Sequence, residues 1–192
     1  TSFKVLSVFK TRDLVEADYN AEMKKDMPRQ QKEMQEQMEK DRKFRQEQAV
    51  KDEAELRKSG EIDREIKAME TYLASKKLSA QKTGKGTYVI VKQTGEGPSI
   101  KDGDTVSVNY TGRILATDSV FQSSSYTFPI GAGQAIQGWD EGIKLFKKGG
   151  KGTLYVPGFL AYGKEARPPF KAFEALIFDV EITDVKATTG NH

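Results

Sequence analysis

The sequence predicts an α+β domain built on an antiparallel sheet, preceded by a long charged helical arm. Lys, Arg, Glu, Asp and Gln dominate from Asp13 to about Lys77, whereas Gly, Pro, β-branched and aromatic residues recur at regular intervals from Gly86 to Val185. Within that second region a single short helical pattern, Trp139 to Phe146, interrupts a series of strand-like runs. Only the second region can bury a core, and its sheet is expected to wrap the helix.

The totals agree with one domain and an appendage: 192 residues, 36% of them hydrophobic. The 31 Lys and Arg stand against 28 Asp and Glu, for a net charge of +3. These charges are interleaved rather than gathered into a basic block, so nucleic acid is not expected as a partner. There is no cysteine, which removes disulfides, thiolate catalysis and thiolate metal sites. No apolar run approaches the roughly 20 residues of a spanning helix. The chain starts at Thr1 without an initiator Met, a start consistent with removal of a signal, an anchor or a preceding domain, so compartment is not legible from the residues.

Residues 1–9 alternate as a strand would, with Phe3, Val5 and Val8 available to a buried face. They can be laid against Phe178 to Val185 with a gap, as the end of a preceding domain would be; a chance β-like tail is the equal alternative. Residues 10–82 form the arm. Leu14 to Met27 and Arg29 to Lys58 consist of strong helix formers, and Pro28 between them is expected to kink or divide the helix. Met23, Met27, Met34 and Met38 make a narrow stripe of the kind found at contact seams. Two readings of the arm stand side by side, a solvated spacer held by i,i+4 ion pairs and a dimerisation seam. Ser59-Gly60 breaks the helix, and Glu61 to Lys77 restarts it with Ile62, Ile66, Met69 and Leu73 on one face. That face must cover either the globular domain or a second copy.

Residues 83–187 form the globular domain, followed by a tail at 188–192. Strands are expected at Tyr88 to Lys92, Thr105 to Arg113, Thr153 to Val156 and Ala175 to Asp184. Turn signals at Gly95-Glu96-Gly97-Pro98, Asp102-Gly103-Asp104 and Lys148-Gly149-Gly150 separate them.

Several motifs can be set aside. Gly131-Ala132-Gly133 lacks the third glycine of a dinucleotide site, and Gly150-Lys151-Gly152 lacks the Ser or Thr of a phosphate loop. His192, the single histidine, sits at the terminus and supports neither a triad nor a metal site. Asn109-Tyr110-Thr111 matches a glycosylation pattern but lies in an expected strand.

The remaining motifs, in order, are Val106 to Gly112, Phe121-Gln122-Ser123-Ser124, Phe128-Pro129-Ile130-Gly131, Gln134 to Asp140, Val156-Pro157, Ala161-Tyr162-Gly163 and Leu176 to Val180. In identity, spacing and order this series closely resembles the FKBP-type peptidyl-prolyl cis-trans isomerases, over about Gly86 to Val185. The resemblance implies a half-barrel sheet around a short helix, with a substrate prolyl ring lying on Trp139. It further implies walls formed by Tyr110, Phe121, Phe128, Ile136, Tyr162 and Phe178, with Ala135 at the rim. The family's backbone amide at Ile136 and phenol at Tyr162 would grip substrate carbonyls. By the same carry-over Tyr110, Phe121, Gln122, Trp139, Tyr162 and Phe178 are the catalytic candidates, and Phe128, Ala135, Ile136 and Phe170 bind substrate. Taken singly, Tyr110, Ile136 and Phe178 also suit an ordinary core.

The implied activity is isomerisation of Xaa-Pro bonds in folding proteins, with no cofactor and no metal. Proline-containing polypeptides would be the substrates and macrolide inhibitors further ligands. The arm resembles the stalks of dimeric bacterial members, which implies a homodimer and a processed, lipid-anchored protein of the periplasm or outer membrane. Two departures stand out. Gln122 occupies the place of the family's usual Asp, with a short Ser125-Tyr126-Thr127 segment that supplies no Arg, and Ala166-Arg167-Pro168-Pro169-Phe170, with Phe173, replaces a Gly-rich, Ile-Pro loop. Reduced turnover and altered substrate preference are expected from them. The alternative function is a non-catalytic or weakly catalytic prolyl-binding chaperone.

Overall fold

The computed structural model describes residues 12–188. The strand-like segment at 1–9 and the tail beyond Thr188, including His192, lie outside the described residues. Contacts divide the chain between Lys51 and Asp52 into two units.

Most of the first unit is helix α1, Arg12–Lys58, which runs through Pro28 without a break. The expected division there does not occur. A proline removes one backbone donor, and the uninterrupted strong helix formers on either side propagate the helix across that single loss. Pairs such as Arg29–Glu33, Lys32–Glu36 and Lys43–Glu39 sit one turn apart on its surface. Each contributes a few tenths of a kcal/mol, about 0.2–0.5, to the helix. Met27, Met34 and Met38 are 48%, 64% and 60% exposed, so these three have no cover among the described residues.

In the second unit a turn at Ser59–Gly60, with Gly60 at φ 74°, leads into α2, Glu61–Ser75. Its Ile62, Met69 and Leu73 are buried. Met69 and Leu73 pack against Tyr88, Tyr155 and Ile177. The amphipathic face therefore covers the globular domain, and α2 belongs to this compact unit rather than to a free arm.

The sheet contains β1 (Gln81–Lys82), β2 (Tyr88–Gln93), β3 (Thr105–Ile114), β4 (Val120–Pro129), β5 (Lys151–Val156) and β6 (Leu176–Lys186). All pairs are antiparallel, in the order β1-β2-β5-β6-β3-β4, and the sheet does not close on itself. Strand alternation sends its two sets of side chains to different neighbours. Val89, Leu154, Val156, Leu176, Phe178, Val180 and Ile182 join one core cluster, while Tyr88, Tyr155 and Ile177 face α2.

The first cluster is completed by α3, Gln137–Gly142, and the 3₁₀ turn Ile143–Leu145 that follows it. Trp139, Ile143 and Phe146 are buried there. Gly138 and Gly142 let this helix lie directly on β5: a Cβ at Gly138 would stand 2.4 Å from Val156 Cγ1, and one at Gly142 2.6 Å from Leu154 Cδ2. The Thr87 hydroxyl donates to the Gly138 carbonyl at 3.3 Å, tying the entry of β2 to the same helix.

The expected strands correspond to β2, β3, β5 and β6, and the expected helix to α3 with its 3₁₀ turn. Strands β1 and β4 were not anticipated. β4 is an edge strand whose centre, Gln122 to Thr127, is exposed on both faces, so no buried face marks it in sequence. Its strand character comes from pairing with β3 along nearly its whole length, a tertiary influence that outweighs polarity.

Candidate active site

Inward residues of β3 alternate as Val106, Val108 and Tyr110, then Gly112, so the strand itself aims Tyr110 at α3. Gly112 makes room for Phe121 of β4: a Cβ there would stand 2.4 Å from Phe121 Cζ and 2.8 Å from Cε2. Phe178 projects from β6 beside Leu176 and Val180. Ile136, extended at φ −63° and ψ 146°, caps α3, and its carbonyl accepts the Trp139 N–H at 2.9 Å. That cap fixes Trp139 in the first turn. Tyr162 follows a second 3₁₀ turn, Gly158–Leu160.

These elements enclose a hollow of about 320 Å³ lined by Tyr110, Phe121, Gln122, Tyr126, Gln134, Ala135, Ile136, Trp139, Tyr162 and Phe178. None of these side chains is a carboxylate, ammonium, guanidinium or imidazole. Trp139 is only 4% exposed and is flanked edge-on by Tyr110, centroids 5.0 Å apart at 81°, and by Phe178, 5.2 Å apart at 88°. Edge-to-face geometry sets the positive rim of one ring against the negative face of another. Phe178 meets Phe121 the same way, at 5.9 Å and 89°.

Three donors at the lining have no acceptor among the described residues: the Trp139 Nε1–H, which is buried, the Ile136 N–H and the Tyr162 hydroxyl. Burial pushes the Tyr110 phenol above its ordinary pKa, and Tyr162 and Tyr126 add to the effect, so it too remains a donor at neutral pH.

Two of the sequence-predicted site residues stand back from the lining. Phe128 is 1% exposed; it stacks on Tyr126 at 5.2 Å and 17° and supports Trp139 from 5.6 Å. Phe170 lies outside the wall, parallel to Tyr162 and edge-on to Phe121. Sequence reasoning missed Tyr126 and Gln134. The Tyr126 hydroxyl donates to the Gln134 carbonyl at 3.2 Å, joining β4 to the loop before α3. An aromatic two positions before Phe128 in an extended segment shares its face, which was the available signal.

Near the hollow, burial raises the Asp140 carboxyl, against the lowering effect of the Gly131 N–H that it accepts at 2.9 Å. Among the described residues no group of three or more His, Asp or Glu is placed to hold a metal. A larger hollow of about 670 Å³ crosses the sheet at Asn109, Thr111, Ser123, Ser125, Asp179 and Glu181. Polar pairs cross it, such as Lys151–Glu181 at 2.8 Å and Thr111–Ser123 at 3.0 Å.

Residues 97–183 match the family model described as FKBP-type peptidyl-prolyl cis-trans isomerase. FK506-binding protein 4 of Aspergillus fumigatus is 40% identical over 106 residues, covering 53% of this chain and 22% of that protein. The chain thus spans about a quarter of the length of the curated fungal relatives it matches. The crystal structure of FkpA from Escherichia coli is similar with a TM-score of 0.56 and 28% identity, over 93% of this chain and 99% of that one. The crystal structure of AtFKBP13 is similar with a TM-score of 0.51 and 30% identity, over 57% of this chain and 99% of that one. On these matches, the chain belongs to the FKBP-type peptidyl-prolyl cis-trans isomerase family.

Proposed function

We propose that the chain binds Xaa-Pro segments of folding polypeptides in the aromatic hollow and accelerates their cis-trans exchange without a covalent step. The observation that carries this reading is the buried Trp139 indole, framed edge-on by Tyr110 and Phe178 within an uncharged lining. Rotation about the amide faces a barrier of about 18–20 kcal/mol from nitrogen–carbonyl resonance. Unaided Xaa-Pro exchange takes tens to hundreds of seconds. The planar amide is more dipolar than the twisted one, so water stabilises the ground state preferentially, and a dry aromatic site withdraws that stabilisation.

Hydrogen bonds made better to the rotated carbonyl lower the barrier further, each 1.4 kcal/mol being about tenfold in rate. The Ile136 N–H and the Tyr162 hydroxyl, both without acceptors among the described residues, are suited to that task. Phe121 and Gln122, both on β4, close that side of the hollow.

Gln122 supports a second reading. A neutral amide there leaves the lining without the fixed charge of the family's usual Asp, which favours holding prolyl segments over turning them over. In that form the protein acts as a prolyl-binding chaperone with weak catalysis. The exposed Met27, Met34 and Met38 of α1 support a homodimer through the arm. Macrolide binding in the same hollow, and residence in a bacterial envelope, are carried by family analogy alone.

The test is exchange of a short Xaa-Pro peptide, followed by NMR with and without the protein. Trp139→Leu and Tyr162→Phe, each checked for folding, should reduce the acceleration about tenfold or more, and Gln122→Asp should increase it. An acceleration indifferent to all three substitutions would remove this hollow from the reaction.

A further inference from the structure

Glu65 is placed where a helix outside the hollow meets the segment that carries Tyr162. It lies on α2, and its Oε2 accepts the Phe159 N–H at 3.1 Å, within the 3₁₀ turn Gly158–Leu160. The Gly158 N–H adds a weaker pull of the same sign. Its other oxygen, Oε1, is enclosed and accepts no hydrogen bond among the described residues.

A carboxylate in this position satisfies the backbone donors of a turn that has no side-chain cap of its own. The surroundings keep it aligned. Ile66, next on α2, and Phe159 both approach Gly86, where a Cβ would lie 3.5 Å from each of them. From the same turn the chain goes directly to Tyr162. The Gly163 N–H returns to the Gly158 carbonyl at 2.8 Å, and the Phe173 N–H then donates to the Gly163 carbonyl at 2.7 Å. Gly158 is itself pinned, since a Cβ there would stand 2.2 Å from the Phe173 carbonyl carbon. The turn, Tyr162 and the loop bearing Phe170 and Phe173 thus share one set of backbone bonds, and Glu65 is the side chain that reaches it from α2.

We infer that Glu65 is a positioning residue for prolyl binding: through the Phe159 N–H it sets the 3₁₀ turn that presents Tyr162 to the hollow. It does not touch substrate. The inference rests on the hollow being the prolyl site, and α2 then acts as part of the binding apparatus as well as a cover for the sheet.

The experiment compares the full chain with Glu65→Ala and Glu65→Gln. Amide hydrogen exchange at residues 159–163 reads the turn, and calorimetric titration with an Xaa-Pro peptide reads the hollow. Glu65→Ala should speed exchange at Phe159 and Gly163 at least tenfold and weaken peptide binding three- to tenfold. Glu65→Gln, which keeps a carbonyl acceptor, should restore most of both. Folded Glu65→Ala with unaltered exchange overturns the inference, as does faster exchange with peptide affinity unchanged or no rescue by Gln. If the unsubstituted chain binds no prolyl peptide, the functional reading fails first, and the inference with it.

Discussion

The ring of Tyr162 lies parallel to that of Phe170, their centroids 4.8 Å apart with 21° between the planes. Phe170 also meets Phe121 edge-on at 4.7 Å and 88°, so a single side chain braces two walls of the hollow from behind. Aromatic pairs contribute about 0.5–1.5 kcal/mol each beyond the area they bury. Phe170→Ala should therefore cost about 1–3 kcal/mol of stability and weaken prolyl-peptide binding several-fold. Urea unfolding and peptide titration on the same sample check both; unchanged affinity would mean that Tyr162 and Phe121 hold their places unaided.

Gly112→Ala should disturb the site without touching a ligand. The new methyl would press on Phe121 Cζ and Cε2 and force that ring away from β3. Overpacking of this kind costs about 1–3 kcal/mol. Adding Phe121→Leu should recover much of the lost stability while leaving peptide affinity low, which a double-mutant cycle would display.

Met69 is 2% exposed between α2 and the sheet. Met69→Ala should destabilise the second unit by about 2–5 kcal/mol, the usual range for such a cavity. A substitution on a free arm would leave the domain's unfolding midpoint unmoved, so thermal or urea melting separates the two situations cleanly.

Glu65 also gives stability a pH dependence. Burial raises its carboxyl from 4.5 to about 7; the Phe159 and Gly158 N–H groups oppose this, while Glu61 adds to it and Arg64 subtracts. A carboxyl with a raised folded-state pKa binds its proton more tightly when folded. Its contribution is thus fully present below about pH 4.5 and is lost as pH climbs to about 7. Glu65→Gln abolishes that titration, so its stability relative to the unsubstituted chain should improve between pH 4.5 and pH 8. Denaturation midpoints at the two pH values test this, and a constant difference would contradict it.

The strands with one buried face were legible in the sequence because alternation at Val106, Val108 and Tyr110, or at Leu176, Phe178 and Val180, declares an interior. β4 was not, since Ser123 to Ser125 declare nothing and their conformation is imposed by β3. Pro28 misled in the other direction: its local cost was visible, but the helix on both sides outweighed it. Within the hollow, residue identity and order located Trp139, Tyr110, Tyr162 and Phe178 together. Depth was invisible. Phe128 and Phe121 are the same residue type seven positions apart, and only the three-dimensional stacking sends one beneath Tyr126 and the other into the wall.

β4 stands at the margin of an open sheet, with one side of a ten-residue strand left without a neighbouring strand among the described residues. Such a margin can seed intermolecular zippering, and aliphatic residues there would aggravate it. The run of serine and threonine hydroxyls instead keeps that border wetted, which lets the domain reach high concentration without recruiting copies of itself into a fibre.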